Sequence, residues 1–250
     1  MLSLSKISTN GKFMFLAYDH GLEHGPSDFN DINIDPNYIL DIADKAKFNA
    51  VILQKGIAEK YYVPFRKKVS LIIKLNGKTS FVEDEPYSAP LCTVDEAIKL
   101  KACAVGYTVY VGSKFESLMF KEFGNVVREA HNKNIPVIAW MYPRGKAVKG
   151  KEDSPKVLAY AARAGLELGA DILKMHYAGS VQDMRLVVES AGRAKVVISG
   201  GLKTNEREFL KDIKDAIKAG CSGVAVGRNV WQAKEPLGLS KEICRIISEW

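Results

Sequence analysis

The stretch GADILKMH, residues 169–176, contains the pattern that decides the fold. Its first glycine is typical of a helix end, and the apolar run at 172–175 is typical of a buried parallel strand. Side chains alternate between the two faces of a strand, so Lys174 shares a face with Ile172 and His176. A lysine within this apolar run fits poorly against surrounding helices. We therefore predict that Lys174 points into the interior of a closed sheet.

Short apolar runs of this kind alternate with amphipathic stretches along the whole chain. We predict eight strands, at 13–17, 50–53, 71–74, 104–111, 135–140, 172–175, 196–199 and 223–226. The intervening stretches carry helix start signals, such as the capping box of Thr93 and Glu96. Eight strand–helix units without a linker predict a single (β/α)8 TIM barrel over residues 1–250. The least regular stretch, 76–91, is expected to be an active-site loop region.

A doubly wound open sheet has the same periodicity and remains an alternative. No dinucleotide-binding glycine fingerprint follows the first strand, which counts against that alternative. A length of 250 residues is routine for one barrel, although two smaller domains would also fit it.

The composition indicates a soluble globular protein, with 47% hydrophobic and 26% charged residues. The net charge is +7, but acidic residues accompany the lysines, as in the KDIKD run at 211–215. Mixed runs of this kind usually form solvated helix faces, so we do not expect a nucleic-acid partner. A basic cleft would, however, attract a phosphate-bearing substrate.

The cysteines and the chain start indicate a cytoplasmic protein. The four cysteines are widely separated and form no CxxC pair, which disfavours zinc-ribbon and thioredoxin-type sites. We expect them to be buried free thiols in a reducing compartment. Residues 1–12 show no secretory signal, and no apolar run is long enough to span a membrane, so no membrane partner is expected.

Lys174 is the strongest candidate for chemistry. Inside a barrel, loss of hydration disfavours the charged form of an amine and lowers its pKa. A neutral amine is the nucleophile that imine formation with a ketone requires. The alternatives are a lysine that reaches past the strand end into solvent, or a lysine in a structural ion pair.

Two further strands bring polar side chains to the same barrel mouth, where active sites of such barrels lie. On the fifth strand, Trp140 and Tyr142 share a face, and a tyrosine hydroxyl there can move protons while an imine forms or hydrolyses. On the first strand, Asp19 follows on the face of Ala17 and can act as a general base. The alternatives are an aromatic pair that caps the core, and a loop cap or ion pair for the aspartate.

Three histidines raise the possibility of a metal site. His20 and His24 are four residues apart, but the glycines and the proline around them predict a loop instead of a helix. No pair formed with them or with His176 has the spacing of a known helical metal motif. We therefore expect no catalytic metal.

Two glycine-bearing segments follow the last two predicted strands. Ser199, Gly200 and Gly201 end and follow the seventh, and Gly227 and Arg228 follow the eighth. Backbone amides free of side-chain obstruction can converge on a phosphate there, and the arginine adds positive charge. These segments predict a phosphate site.

Together, these residues resemble a known family. The motifs are YDHGLEHGP at 18–26, WMYPRG at 140–145, GADILK at 169–174, SGG at 199–201 and VAVGRN at 224–229. In this order they resemble the archaeal-type class I fructose-bisphosphate aldolases, whose wider family includes the 2-amino-3,7-dideoxy-heptulosonate synthases. The resemblance covers nearly the whole chain.

The resemblance implies roles for the candidate residues. Lys174 would form the Schiff base, Tyr142 would donate and accept protons, and Asp19 would be a further acid or base. The other implied positions are the substrate contacts His20, His24, Trp140 and Arg144, and the phosphate contacts Ser199, Gly200, Gly201, Gly227 and Arg228. The resemblance also implies no metal or other cofactor, a phosphorylated sugar as substrate, and a homo-oligomer, with a ring assembly as one form.

The implied reaction is reversible cleavage of fructose 1,6-bisphosphate to dihydroxyacetone phosphate and glyceraldehyde 3-phosphate. His24 favours this branch over a heptulosonate synthase-like transaldolase, which is the nearest alternative. A class II metal aldolase and a non-catalytic phosphosugar- or nucleic-acid-binding barrel are further alternatives. One departure concerns the substrate: the sequence YAGS stands at 177–180, where the family commonly has Tyr-Thr-Gly-Asp.

Overall fold

The computed structural model describes residues 2–201 and 203–249, and within them eight parallel strands form a closed barrel. The strands are β1 (Phe13–Tyr18), β2 (Ala50–Gln54), β3 (Ser70–Lys74), β4 (Ala104–Val111), β5 (Val137–Pro143), β6 (Ile172–Met175), β7 (Lys195–Ser199) and β8 (Gly223–Val226). Each strand pairs with the next in the chain, and β8 pairs with β1 to complete the ring. This confirms the predicted (β/α)8 barrel and rules out the open sheet. A separate antiparallel pair joins Asn76–Gly77 to Ala89–Pro90.

Helices surround the barrel and follow its strands. They are α1 (His20–His24), α2 (Pro36–Lys45), α3 (Lys55–Tyr61), α4 (Val94–Lys99), α5 (Glu116–Asn132), α6 (Pro155–Glu167), α7 (Val181–Ser190), α8 (Glu206–Lys218), α9 (Arg228–Trp231) and α10 (Pro236–Ser248). The predicted capping box is confirmed: the Thr93 hydroxyl accepts from the Glu96 N–H, and the Glu96 carboxylate accepts from the Thr93 N–H. This box satisfies two backbone donors at the start of α4.

Two apolar layers hold the fold together. The inner one fills the barrel with side chains that alternate along the strands, including Phe13, Phe15 and Ala17 on β1. Ile7, from the segment before β1, is buried in this same inner layer. The outer layer packs the other faces of the strands against the helices. The polar residues at the C-terminal ends of the strands therefore lie next to an apolar barrel interior.

The fifth strand lies further along the chain than the predicted 135–140. Ile135 lies in the turn that follows α5, where its N–H donates to the Ala130 carbonyl. The strand instead continues to Pro143, where Tyr142 pairs with Tyr110 of β4. Tyr142 is therefore part of strand β5 and not of the loop that follows it.

The expectation of a loop around His20 and His24 was wrong. These residues begin and end a single helical turn, α1. The turn stops at Gly25, whose φ of +68° is a conformation that glycine adopts readily. Glycine lowers helix propensity, but one turn fixed at the barrel rim by tertiary contacts tolerates it.

The expectation that residues 76–91 form part of the active site was also wrong, since none of them lines the cleft described below. The segment is fastened to the outer rim. Asn76 is fully buried, and the Glu85 carboxylate accepts from the N–H groups of Lys114 and Lys146 at 3.0 and 2.8 Å. These contacts hold the loop over the segments that follow β4 and β5.

All four cysteines are free thiols, as expected, but they are not all buried. Cys92 and Cys221 are buried, Cys103 is half-buried, and Cys244 is exposed on the outer face of α10. Among residues 2–201 and 203–249, no helix combines the length and apolar character needed to cross a membrane.

Candidate active site

A cleft opens at the C-terminal ends of the strands. All twelve residues predicted for the site line it: Asp19, His20, His24, Trp140, Tyr142, Arg144, Lys174, Ser199, Gly200, Gly201, Gly227 and Arg228. The structure adds four more, Glu23, Lys74, His176 and Ala225. The cleft therefore collects residues that are up to about two hundred positions apart in the chain.

Lys174 points into the barrel from β6, as predicted. Its side chain is 3% exposed, and its Nζ lies 5.0 Å from the centre of the Trp140 ring. It has no hydrogen-bond or ion-pair partner among the described residues, so neither alternative role applies. Burial lowers the pKa of Lys174 to about 8, with a contribution from the charge of Lys74, and the carboxylate of Asp19 opposes this change. About a tenth of this amine is therefore neutral at pH 7 and about half at pH 8.

Trp140 and Tyr142 reach the cleft from β5. Trp140 packs over Gly106 of β4, where any larger residue would collide with the indole ring. The indole Nε1 is buried and has no hydrogen-bond partner within the described part of the chain. Burial, together with the charge of Asp19, raises the pKa of Tyr142. The phenol therefore holds its proton until a reacting group takes it.

Asp19 belongs to a buried ionic cluster that the sequence reasoning missed. Lys74, 2% exposed, lies 3.4 Å from the Asp19 carboxylate and 2.9 Å from that of Glu23. Burial alone would raise the pKa of Asp19, but the charges of Lys74 and Lys174 outweigh it and hold that pKa below its usual range. Strand alternation could have found Lys74, because it follows the interior residue Ile72 on the same face of β3.

Glu23 extends the buried ionic cluster toward the rim of the cleft, because it contacts residues there as well as Lys74. Tyr110 of β4 donates to its carboxylate at 3.4 Å. The guanidinium of Arg144 lies over two rings, 5.5 Å from the centre of Tyr110 and 5.7 Å from that of Tyr142. Arg144 thus provides positive charge beside the predicted proton carrier.

A second group of charges lies on the other side of the cleft. The carboxylate of Asp28 is 2.7 Å from Nδ1 of His24 and 3.4 Å from the guanidinium of Arg228. Arg228 also donates to the carbonyl of Gly201 at 3.3 Å. Asp28, which the sequence reasoning did not single out, therefore positions two of the predicted substrate and phosphate contacts.

The segment after β8 approaches β1 closely. A Cβ atom at Gly227 would lie 2.8 Å from the carbonyl oxygen of Ala17 and 2.6 Å from Cε1 of His20. Only glycine allows this approach, which brings the two predicted glycine segments to one end of the cleft. Burial lowers the pKa of His20 to about 4, so this imidazole is neutral at neutral pH.

His176 lies two residues beyond Lys174, just after the end of β6, and also lines the cleft. Its Nδ1 is 2.6 Å from the Asp153 carboxylate, and its ring centre is 4.7 Å from that of Tyr142. The rings of His20 and His24 meet edge to face, with their centres 5.6 Å apart. In the part of the chain that the structure describes, no group of three or more His, Cys, Asp or Glu side chains is arranged to hold a metal ion.

The segment that departs from the family pattern lies outside the cleft, since none of residues 178–180 lines it. Ser180 caps α7: its hydroxyl accepts from the Asp183 N–H at 3.1 Å and donates to the Asp183 carboxylate. The serine supplies a side-chain oxygen at the helix start, which is a role that aspartate can also fill.

A partly neutral buried amine beside a protonated phenol and a carboxylate defines a site for carbonyl chemistry. Sequence comparison agrees with this class. The family model of the DeoC/LacD family aldolases matches residues 13–233, and the chain belongs to this family.

Individual relatives are similar over nearly their full length. The class 1 fructose-bisphosphate aldolase of Thermoproteus tenax is 47% identical, over 95% of this chain and 90% of that protein. The enzyme of the same name from Halobacterium salinarum is 48% identical, over 98% and 94%. A solved archaeal fructose-1,6-bisphosphate aldolase, with its catalytic lysine bound to the carbinolamine intermediate of the substrate, superposes with a TM-score of 0.93. That structure is 45% identical, and the match covers 98% of this chain and 97% of the other.

Proposed function

We propose that the protein is a class I fructose-bisphosphate aldolase that forms a Schiff base through Lys174. The observation that carries the proposal is the state of this amine, which is buried, without an ion-pair partner in the described chain and partly neutral near pH 8. The relatives named above, which are similar along nearly the whole chain, support the choice of reaction.

Substrate binding uses the two ends of the cleft. One phosphate of fructose 1,6-bisphosphate lies against Gly200, Gly201 and Gly227, where Arg228 supplies positive charge. The carbonyl carbon C2 then faces Lys174. Arg144, beside Tyr142, contacts the remaining part of the sugar phosphate, and His24, which shares Asp28 with Arg228, is a further substrate contact.

The first half of the reaction forms the imine. The neutral Lys174 amine adds to C2, and the resulting carbinolamine loses water to give an iminium. Tyr142 donates the proton that the departing hydroxyl requires and later recovers one. Its raised pKa suits a group that must stay protonated before this step.

The second half breaks the carbon–carbon bond. Asp19 removes the proton of the C4 hydroxyl, the C3–C4 bond breaks, and its electron pair moves into the iminium to give an enamine. Glyceraldehyde 3-phosphate leaves, C3 of the enamine is protonated, and water releases dihydroxyacetone phosphate from Lys174. The iminium accepts the electrons, so we infer that the reaction needs no metal and that activity survives a chelator.

The test is borohydride reduction in the presence of fructose 1,6-bisphosphate, followed by peptide mass spectrometry. The proposal expects an adduct on the peptide that contains Lys174, together with cleavage in a coupled assay for the two triose phosphates. An adduct on another lysine would contradict the proposal. Trapping at Lys174 without cleavage would favour the heptulosonate synthase-like transaldolase.

We also infer a homo-oligomeric assembly in the cytoplasm. The support is the family membership. Light scattering during size-exclusion chromatography tests the assembly, and a monomeric mass would contradict it.

A further inference from the structure

The proposed mechanism leaves one buried charge without a role, that of Lys74. Its side chain is 2% exposed, yet it lines the cleft from β3. A buried ammonium is costly unless it is paired, and this one is paired twice, with Asp19 at 3.4 Å and Glu23 at 2.9 Å. The cluster contains two carboxylates, and both of them pair with Lys74 and neither with Lys174.

We propose that Lys74 is a positioning residue that occupies the carboxylates of Asp19 and Glu23 and so leaves the Lys174 amine without an ion-pair partner. The inference rests on the proposed function, because it concerns the readiness of the same nucleophile. Lys174 and Lys74 lie over the same indole, at 5.0 and 6.0 Å from the centre of the Trp140 ring. Without Lys74, the charges of Asp19 and Glu23 would still act on Lys174, and no neighbouring ammonium at position 74 would offset them.

The neighbouring charges determine whether the pKa of each lysine is raised or lowered. The groups that face Lys174 are Asp19 and Glu23 from the segment after β1, Lys74 from β3 and Arg228 after β8, with the titratable side chains of His20 and Tyr142 beside the cluster. Lys74 and Arg228 favour the neutral amine, whereas the two carboxylates favour the charged one. Burial alone would lower the pKa of Lys74, but Glu23 and Asp19 outweigh it and raise that pKa. Lys74 therefore keeps its charge while Lys174 loses its proton.

The role has to be measured apart from substrate contact, because Lys74 lines the cleft. Both of its ion-pair partners belong to the protein, and Glu23 also accepts from the Tyr110 hydroxyl. A pH profile of Lys174 in the absence of substrate reports the effect of Lys74 on the amine alone.

The experiment measures the protonation of Lys174 without substrate. The full-length protein is labelled with formaldehyde and cyanoborohydride at a series of pH values, and peptide mass spectrometry follows methylation at Lys174. For Lys74→Met we expect the midpoint of labelling to move upward by about one pH unit, since a positive charge has left the cluster. At pH 7 the labelling rate should fall by about tenfold. Lys74→Arg, which keeps the charge, should retain the original midpoint.

Two further variants make the test decisive. Glu23→Gln removes a negative charge, so its midpoint should move downward, opposite to that of Lys74→Met. Lys195→Met makes the same change in charge at the exposed start of β7 and should not move the midpoint. A structural role for Lys74 predicts loss of activity without opposite shifts. If Lys74→Met does not fold, Lys74→Gln, which also removes the charge, replaces it, and an unmoved midpoint in that folded variant overturns the proposal.

The failure of the inference is distinguishable from the failure of the proposed function. If fructose 1,6-bisphosphate gives no borohydride adduct on wild-type Lys174, the reaction assignment fails, whatever the labelling shows. If the adduct forms but the variants share one labelling midpoint, only the role of Lys74 is wrong.

Discussion

The cleft contains two buried lysines that differ in their ion-pair partners and in the direction of their pKa shifts. Lys174 on β6 and Lys74 on β3 are 3% and 2% exposed, and both lie over Trp140. Lys74 has two carboxylates within 3.4 Å, and its pKa is raised, while Lys174 has no ion-pair partner in the described chain and its pKa is lowered to about 8.

Burial alone therefore does not make a lysine nucleophilic. Desolvation disfavours both ammonium groups, but the direct ion pairs of Lys74 reverse its effect there. The division of labour between the two lysines depends on which of them the carboxylates contact, so the account can be tested by changing one member of the cluster at a time.

The largest effect is expected from Lys174→Met, which removes the nucleophile and keeps an apolar side chain of similar length. Turnover should fall by about ten-thousand-fold or more, and borohydride trapping should disappear. Circular dichroism should show an intact fold, because the loss of a buried, unpaired amine removes no ion pair. If trapping persisted at full rate, the roles given to the two lysines would have to be exchanged or abandoned.

A smaller loss is expected from Tyr142→Phe, which keeps the ring and removes the proton carrier. We expect kcat to fall by about a hundred- to ten-thousand-fold with KM nearly unchanged. Steady-state kinetics and single-turnover trapping measure the two effects. Unchanged turnover would show that another group near Lys174 moves the protons, and the matching change His176→Phe would then identify it if it alone slowed the reaction.

Asp19→Asn sharpens the comparison because it removes the carboxylate that acts on both lysines. Loss of the general base should lower kcat by about a hundredfold. At the same time the Lys174 labelling midpoint should move below about pH 8, since the Asp19 charge raises the pKa of this amine. A midpoint that moved upward would mean that Asp19 does not face Lys174 as a carboxylate.

The sequence predicted the residues that follow from local periodicity. Alternation along single strands placed Lys174, Trp140 and Asp19 at the barrel mouth, and the apolar runs with their helix caps predicted the closed ring. The missed residue Lys74 was within reach of the same argument, because it ends a strand behind Ile72.

Side-chain alternation along single strands could not predict the contacts between distant segments. Asp28 meets Arg228 across two hundred residues, and Glu23 meets Lys74 across fifty-one. Single-strand periodicity carries no information about such pairs, because they depend on how the rim segments fold over the ring. The turn at His20 was mistaken for a loop for the same reason: tertiary contacts outweigh the weak helix propensity of its glycine.

The most direct test follows the protonation of the two lysines in one sample of the wild-type protein. Formaldehyde and cyanoborohydride labelling across pH 6 to 11, resolved by peptide, reports both amines side by side. The account predicts that Lys174 becomes half-reactive near pH 8 and that Lys74 stays unlabelled over the whole series. A common midpoint for both, or a Lys174 midpoint above about 10, the ordinary value for lysine, would contradict it.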